Sequence, residues 1–147
     1  MGWRQRVAVL AAALWWGSLG AIGFMAVPLL FVHLPTPALA GQTAARLFSA
    51  QAWIGVGCGV VLLLSARRKG QAPSMGWASG AVGFVLAGLL LALLLEFAIA
   101  PRIMARQDLR LWHTAGSALY VLQWVCALVV LWRVAGAPRA AGEAGSA

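Results

Sequence analysis

The chain has 147 residues, of which 63% are hydrophobic and 10% are charged, and its formal net charge is +8. Soluble domains contain about 25% charged residues, so this composition excludes a water-soluble fold, and the length suits one compact domain. The positive charge does not indicate nucleic-acid binding, because most basic residues flank apolar runs and the sequence has no basic helix or zinc module. We expect a membrane protein whose partner is the lipid bilayer and not a nucleic acid.

Four long apolar stretches follow one another along the chain. They cover residues 7–32, 47–66, 76–100 and 111–132. Each is close to or longer than the roughly 20 residues that an α-helix needs to cross a hydrocarbon core. The sequence therefore predicts an all-α fold, a polytopic membrane four-helix bundle made of two αα-hairpins. Residues 1–134 form the predicted transmembrane domain, and residues 135–147 are predicted to be a disordered cytoplasmic tail.

The basic residues set the predicted orientation. Seven of them lie at the termini and in the loop between the second and third stretches: Arg4, Arg6, Arg67, Arg68, Lys69, Arg133 and Arg139. Four lie on the opposite side: Arg46, Arg102, Arg106 and Arg110. Because cytoplasmic loops carry an excess of lysine and arginine, we expect both termini to be cytoplasmic in a multi-pass protein of the bacterial inner membrane.

A weak internal repeat relates the two predicted hairpins. Each has a proline near the outer end of its first helix, Pro28 or Pro101, and an Arg-apolar-aromatic triplet at the start of its second helix. A duplicated hairpin and a coincidence both explain the pattern. Residues 33–37 should end the first helix and Pro101 the third, because proline breaks helices. The basic segment 101–110 should then lie along the membrane surface.

Polar side chains inside the spans are the candidate functional residues, because ionisable groups in a bilayer are costly and usually mark function. Glu96 is the one acidic residue in the four stretches, and the other three helices also place polar residues in the same predicted outer layer. On the fourth helix these residues recur at steps of three and four and so share a face. The candidate cluster consists of His33, Gln51, Glu96, Arg102, His113, Ser117 and Tyr120.

Three interpretations of this cluster remain open. It can be structural, with Glu96 paired to Arg102 or Arg110 and His113 hydrogen-bonded to Gln51. It can relay protons or contact a polar solute through Glu96 and His113, as intramembrane acids and histidines do in transporters. It can also bind a metal or haem, since imidazole and carboxylate groups ligate transition metals. The candidate ligands are then His33, His113 and Glu96. We expect no cofactor, with haem or copper as the alternative.

Motifs of soluble enzymes do not occur in the sequence. It has no glycine-rich phosphate loop, no Cys-x-x-Cys pair and no serine elbow. Cys58 and Cys126 both fall inside apolar stretches, and we expect two buried small hydrophobes rather than a disulfide. The sequence thus favours a non-enzymatic membrane protein, alone, as a homo-oligomer or with a membrane-protein partner.

Several short motifs resemble those of one family. They are residues 15–20 (WWGSLG), residues 28–31 (PLLF), residues 47–48 (LF), Glu96 with Pro101-Arg102, and residues 111–117 (LWHTAGS). Over roughly residues 8–133 the sequence is similar to the transmembrane protein 205-like family of four-helix proteins. The resemblance implies a four-span inner-membrane protein of undefined molecular activity, with eukaryotic relatives linked to platinum-drug resistance. A fainter likeness, at Phe31-Val32-His33, to copper-resistance and haem-biosynthesis membrane proteins implies metal or haem binding at His33.

Overall fold

The computed structural model describes residues 2–66 and 77–136, which form four long helices and contain no strand. The helices are α1 (Trp3–His33), α2 (Pro37–Ala66), α3 (residues 77–104) and α4 (Leu109–Ala135). Each contains a segment that is long and apolar enough to cross a membrane. The protein is a four-span all-α bundle, which confirms the fold class that the apolar stretches predict.

The four helices form a ring. Each packs against the helices that precede and follow it in the chain, and α1 also packs against α4. Short turns after α1 and α3 make two antiparallel hairpins. We call the end of the bundle with these turns the turn end, and the end at which α1 begins and α4 ends the terminus end. Their orientation relative to the cytoplasm stays a prediction, and most of the predicted tail, residues 135–147, lies outside the described residues.

Three helices, α1, α2 and α4, begin before the apolar stretches that predict them. Helix α2 begins at Pro37, where a proline fits because the first turn leaves its N–H groups without intrahelical partners. The Thr36 hydroxyl accepts a backbone N–H of this turn at 3.3 Å. Asp108 caps α4 in the same way, at 3.3 Å. The segment 101–110 therefore does not lie along the surface as predicted, but is divided between α3, a turn and α4.

Helices α1 and α3 each contain a π-helical segment just before a proline. In α1 it covers Ala21–Ala26 and is followed by Pro28. In α3 it covers Leu95–Ile99 and is followed by Pro101. A proline ring clashes with the carbonyl four residues earlier, and a local π turn relieves this clash without exposing backbone groups to lipid. The prediction that Pro101 ends the third helix is therefore wrong, since the helix widens and continues to Met104.

The best-packed part of the core lies at the terminus end and in the middle of the bundle. Four residues of α1 at helical spacing are fully buried there: Ala8, Ala12, Trp15 and Leu19. Trp15 fits because two other helices have a glycine beside its ring: Gly55 on the adjacent α2, and Gly88 on α3 across the bundle. An ideal Cβ at Gly88 would lie 2.6 Å from the Trp15 ring. Such close approach to small residues is how membrane helices pack, since lipid supplies no hydrophobic force between them.

Candidate functional site

Glu96 lies in the π-helical segment of α3, which is the last part of α3 with an extensive contact to α2. Its carboxylate accepts a hydrogen bond from the Ser49 hydroxyl of α2, with 2.6 Å between the two oxygens. Both side chains are half-buried. Among the described residues no ion pair joins Glu96 to a basic side chain. The predicted pairing with Arg102 or Arg110 is therefore wrong, and the Ser49 hydroxyl takes the place of the expected arginine.

Arg102 instead ties α3 to α4 at the turn end. Its guanidinium donates a hydrogen bond to the Ala98 carbonyl and lies 4.7 Å from the centre of the Trp112 ring on α4. A cation–π contact at such an exposed site contributes about 0.5–1 kcal/mol. Arg133 makes the same kind of contact with Phe84 of α3 at the terminus end, at 5.1 Å. Both contacts therefore hold the α3–α4 hairpin together near the membrane surfaces.

The two histidines do not join Glu96. His33 is exposed at the end of α1, and its Nδ1 lies 3.0 Å from the Leu29 carbonyl oxygen. His113 is exposed on α4 and has no hydrogen bond within the described part of the chain, so its predicted bond to Gln51 is wrong. No three His, Cys, Asp or Glu side chains among the described residues come together to hold a metal ion. Binding of haem or copper stays a prediction.

Tyr120 joins three helices near the middle of the bundle. Its hydroxyl donates a hydrogen bond to the Leu19 carbonyl of α1 at 2.8 Å. Its ring packs edge-on against Phe48 of α2, with the ring centres 5.1 Å apart. The ring also lies directly against Gly23, in the π-helical segment of α1, where any side chain would overlap it. Ser117, about one turn closer to the turn end on the same helix face, is exposed.

The two hairpins separate between Tyr120 and the turn end. The last part of α1, Val27–His33, packs on α2, and the last part of α3, Ala100–Met104, packs on α4. Within the described residues, neither segment has a comparably extensive contact with the other hairpin. The exposed His113 and Ser117 lie on the part of α4 beyond Tyr120. We call the space between the hairpins the crevice. Phe48 and Tyr120 contact each other where the crevice meets the middle of the bundle, and we call this pair its floor.

A second group of polar side chains lies deeper, and we call it the middle polar layer: Trp15, Ser18, Gln51 and Gln123. Gln51 donates from Nε2 to the Ser18 hydroxyl at 3.0 Å, and Ser18 donates to the Trp15 carbonyl at 3.1 Å. Gln51 is 1% exposed and Gln123 is 2% exposed. The sequence predicted Gln51 in an outer layer with His113. It belongs instead to this buried layer.

The middle polar layer has unused hydrogen-bonding groups. Three of its buried side-chain atoms have no partner among the described residues: Trp15 Nε1, Gln51 Oε1 and Gln123 Nε2. The buried Nε1 atoms of Trp16 and Trp124, which are not part of the layer, also have none among these residues. Trp15 and Gln123 converge on Gly55, where an ideal Cβ would lie 2.9 Å from the indole nitrogen and 3.6 Å from the amide nitrogen. A buried polar group without a partner costs several kcal/mol in hydrocarbon. Such a group in a folded protein requires an explanation.

The sequence contains a signal for this layer that the helix-face analysis missed. The face defined by His113, Ser117 and Tyr120 does not include Gln123, which lies three residues after Tyr120. Gln51 and Gln123 are nevertheless the two amide side chains inside the four apolar stretches. Ser18 and Ser49 could not be selected in this way, because other serines also occur in the stretches.

The chain matches a family described as a domain of unknown function (DUF4149) over residues 10–112. The protein belongs to this family. Comparisons with curated proteins and with solved structures gave no match. The matched region includes Trp15, Gln51 and Glu96, and it ends before Tyr120 and Gln123. The family and the four apolar helices together describe a multi-pass membrane protein of undefined activity.

Proposed function

We propose that the protein moves a proton, or a small solute that donates a hydrogen bond, through the bundle, with Glu96 as the group that receives it. The observation that carries this proposal is the environment of Glu96. It is half-buried at membrane depth, it is bonded to Ser49, and it has no basic partner among the described residues. Ionisable groups in the interior of membrane bundles mark ion pathways and proton relays.

The bond to Ser49 leaves Glu96 with unused acceptor positions. A carboxylate has about four lone-pair positions, and the Ser49 hydroxyl occupies one of them. A carboxylate without a counter-ion is costly away from water. Glu96 therefore has free acceptor positions for an incoming proton, or for an N–H or O–H group of a solute.

The crevice is the proposed path to Glu96. Glu96 lies near the level at which the hairpins separate, in a π-helical segment of the kind that often accompanies functional sites. Tyr120 and Phe48 close the crevice toward the middle of the bundle. Movement of a solute beyond this floor requires their contact to open. The resemblance to the transmembrane protein 205-like family, with its link to drug resistance, supports a role in moving small solutes.

Carbodiimide labelling tests whether Glu96 holds a proton. Dicyclohexylcarbodiimide enters apolar regions and reacts there with carboxyl groups as they take up a proton, so we expect one adduct on Glu96 when the protein in liposomes is treated. Mass spectrometry of the intact protein and its peptides locates the adduct. Glu96→Gln should remove it, and Asp108, which is exposed at the turn, should stay unmodified. The absence of an adduct on Glu96 at neutral and mildly acidic pH would overturn the proposal.

Proton uptake by liposomes tests the transport step itself. Vesicles containing the protein and a trapped pH-sensitive dye are exposed to a potassium diffusion potential. We expect faster acidification than in empty vesicles, abolished by Glu96→Gln and reduced by Ser49→Ala. Asp108→Asn is the matched control, since Asp108 is exposed at the turn and asparagine can also cap the helix. Equal uptake by the native protein and Glu96→Gln would exclude Glu96 from the path.

A further inference from the structure

We infer that the middle polar layer is a binding site for a small neutral molecule that presents a hydrogen-bond-accepting oxygen. Water is the smallest such molecule, and an alcohol or a primary amide has the same chemistry. This site lies deeper than Glu96 and does not depend on proton uptake there. Helices α1, α2 and α4 contribute its donors and its acceptor.

Burial and missing partners together imply an occupant. Trp15 is 0% exposed, Gln51 is 1% exposed and Gln123 is 2% exposed, so bulk solvent does not reach them. Lipid chains offer no hydrogen bond, and the described residues provide none to Trp15 Nε1, Gln51 Oε1 or Gln123 Nε2. Buried waters in proteins occupy sites of this type, where they bond to otherwise unsatisfied polar groups.

The chemistry of the unpartnered atoms defines the ligand. Within the layer, Trp15 Nε1 and Gln123 Nε2 are N–H donors and Gln51 Oε1 is an acceptor. The Nε2 of Gln51 already donates to Ser18, so Gln51 offers the ligand its carbonyl oxygen. The ligand must therefore accept several hydrogen bonds and donate at least one. An anion is excluded, because every arginine among the described residues is exposed and a buried charge without a counter-ion is strongly unfavourable.

Gly55 provides the place where the donors converge. The position of an ideal Cβ on this residue lies 2.9 Å from Trp15 Nε1, which is a hydrogen-bond distance, and 3.6 Å from Gln123 Nε2. Trp15 packs directly on the α2 backbone at Gly55, so both nitrogens lie on the same side of the layer, and an oxygen beside this contact can accept a hydrogen bond from each. A methyl group at residue 55 would displace the Trp15 indole from this position, so Gly55→Ala should disrupt the site.

Indole N–H signals give the most direct test. The protein is labelled with ¹⁵N-tryptophan in detergent, and Trp15→Phe assigns the Trp15 signal. We expect magnetisation transfer from water to the Trp15 indole N–H, and its loss in Gly55→Ala and Gln123→Met. Trp53, exposed to detergent chains, is the control that should show none. A Trp15 signal without transfer from water, and unchanged by glycerol or acetamide, would overturn the proposal.

The added solutes distinguish water from a larger ligand. If the site holds a larger molecule, glycerol or acetamide should shift the Trp15 signal in a saturable way and reduce the transfer from water. If the site holds water, the transfer should persist unchanged at the same solute concentrations. Both results support a neutral oxygen ligand, and they differ only in its size.

Melting temperatures provide a second test that does not require assigned signals. Gln123→Met keeps the approximate length of the side chain and removes both amide donors. If the layer is occupied, this change removes a bond to the ligand, and we expect a lower melting temperature. If the layer is empty, it removes an unsatisfied buried group, and a higher melting temperature would overturn the proposal. Leu122→Met, which is half exposed on the same helix, should leave the melting temperature unchanged.

Discussion

The terminus half of the bundle is packed as one unit, whereas the turn half is divided into two hairpins. In the terminus half, Trp15 lies between glycines of two other helices and is completely buried. In the turn half, Val27–His33 and Ala100–Met104 each pack on their own hairpin partner. The same helices take part in both halves, so the difference arises from local sequence and not from the number of spans.

The boundary between the two halves coincides with the two π-helical segments. Small residues opposite Trp15 allow the helices to approach closely, which is the main source of association in lipid. Beyond Ala21–Ala26 in α1 and Leu95–Ile99 in α3, the wider turns and the following prolines direct the helices away from the opposite hairpin. Glu96 and Tyr120 lie in this region. The closest helix packing and the polar side chains Glu96 and Tyr120 thus lie in different parts of the same helices.

Truncation of Trp15 should have the largest effect on the comparison. We expect Trp15→Ala to lower the free energy of unfolding by about 3–5 kcal/mol, because it removes a large buried side chain and leaves a cavity. Trp53→Ala, at a side chain that is 60% exposed to lipid, should change it little. Unfolding in mixed detergent micelles measures both. Equal losses for the two variants would show that Trp15 does not organise the compact half.

A glycine pair on α3 tests the same packing with a smaller change. Gly88→Ala places a methyl group against the fully buried Trp15 ring, and such overpacking costs about 1–3 kcal/mol. Gly83→Ala meets no atom within 4 Å and should be neutral or stabilise the helix by up to about 1 kcal/mol. The melting temperatures should therefore move in different directions, and similar shifts would contradict the described packing.

Tyr120→Phe should have a moderate effect at the floor of the crevice. It removes the hydrogen bond to the Leu19 carbonyl and keeps the ring contact with Phe48. We expect a loss of about 0.5–1.5 kcal/mol in the free energy of unfolding. Proton uptake by liposomes should increase if this bond helps to close the floor. An unchanged melting temperature together with unchanged uptake would show that the bond does neither.

The Ser49–Glu96 bond should give the smallest measurable effect. A double-mutant cycle with Ser49→Ala and Glu96→Ala, which remove the donor and the acceptor, should show a coupling free energy of about 0.6 kcal/mol, the average for polar contacts between membrane helices. The cycle with His113→Ala and Glu96→Ala should be additive, because no hydrogen bond or ion pair joins these two side chains. Coupling in the second cycle and not in the first would show that Glu96 interacts with His113 and not with Ser49.

The number of spans could be predicted because the length of an apolar stretch depends on bilayer thickness alone. The depth of Gln51 within the bundle could not be predicted, because it depends on where the second helix begins. The sequence placed the start of the second helix at residue 47, which puts Gln51 about one turn below the membrane surface. The helix begins at Pro37 instead, so Gln51 lies several turns inside and contacts Ser18. Residues 33–37 do end the first helix as predicted, but Pro37 also begins the second one.

The partner of Glu96 depends on helix rotation, which apolar stretches do not specify. Arginines follow Glu96 in the sequence, and an ion pair was the natural expectation. The rotation of α3 brings Glu96 to Ser49 of α2, while Arg102 turns to Trp112. The π-helical segments were also not predicted, although Phe24 and Phe97 both lie four residues before the proline that follows each segment. Lipid favours a widened turn over a broken helix.

The most direct measurement of the central claim is the reactivity of single cysteines on α4 toward a water-soluble maleimide, with Cys58 and Cys126 replaced by alanine. Maleimides react with the thiolate, which forms only where water is present. Ser117 is on the helix face that bears Tyr120, whereas the neighbouring exposed Ala118 lies about 100° around the helix, on the side of Leu122. We expect Ser117→Cys to react rapidly and Ala118→Cys to react far more slowly. Equal slow reaction at both positions would show that no open crevice separates the two hairpins.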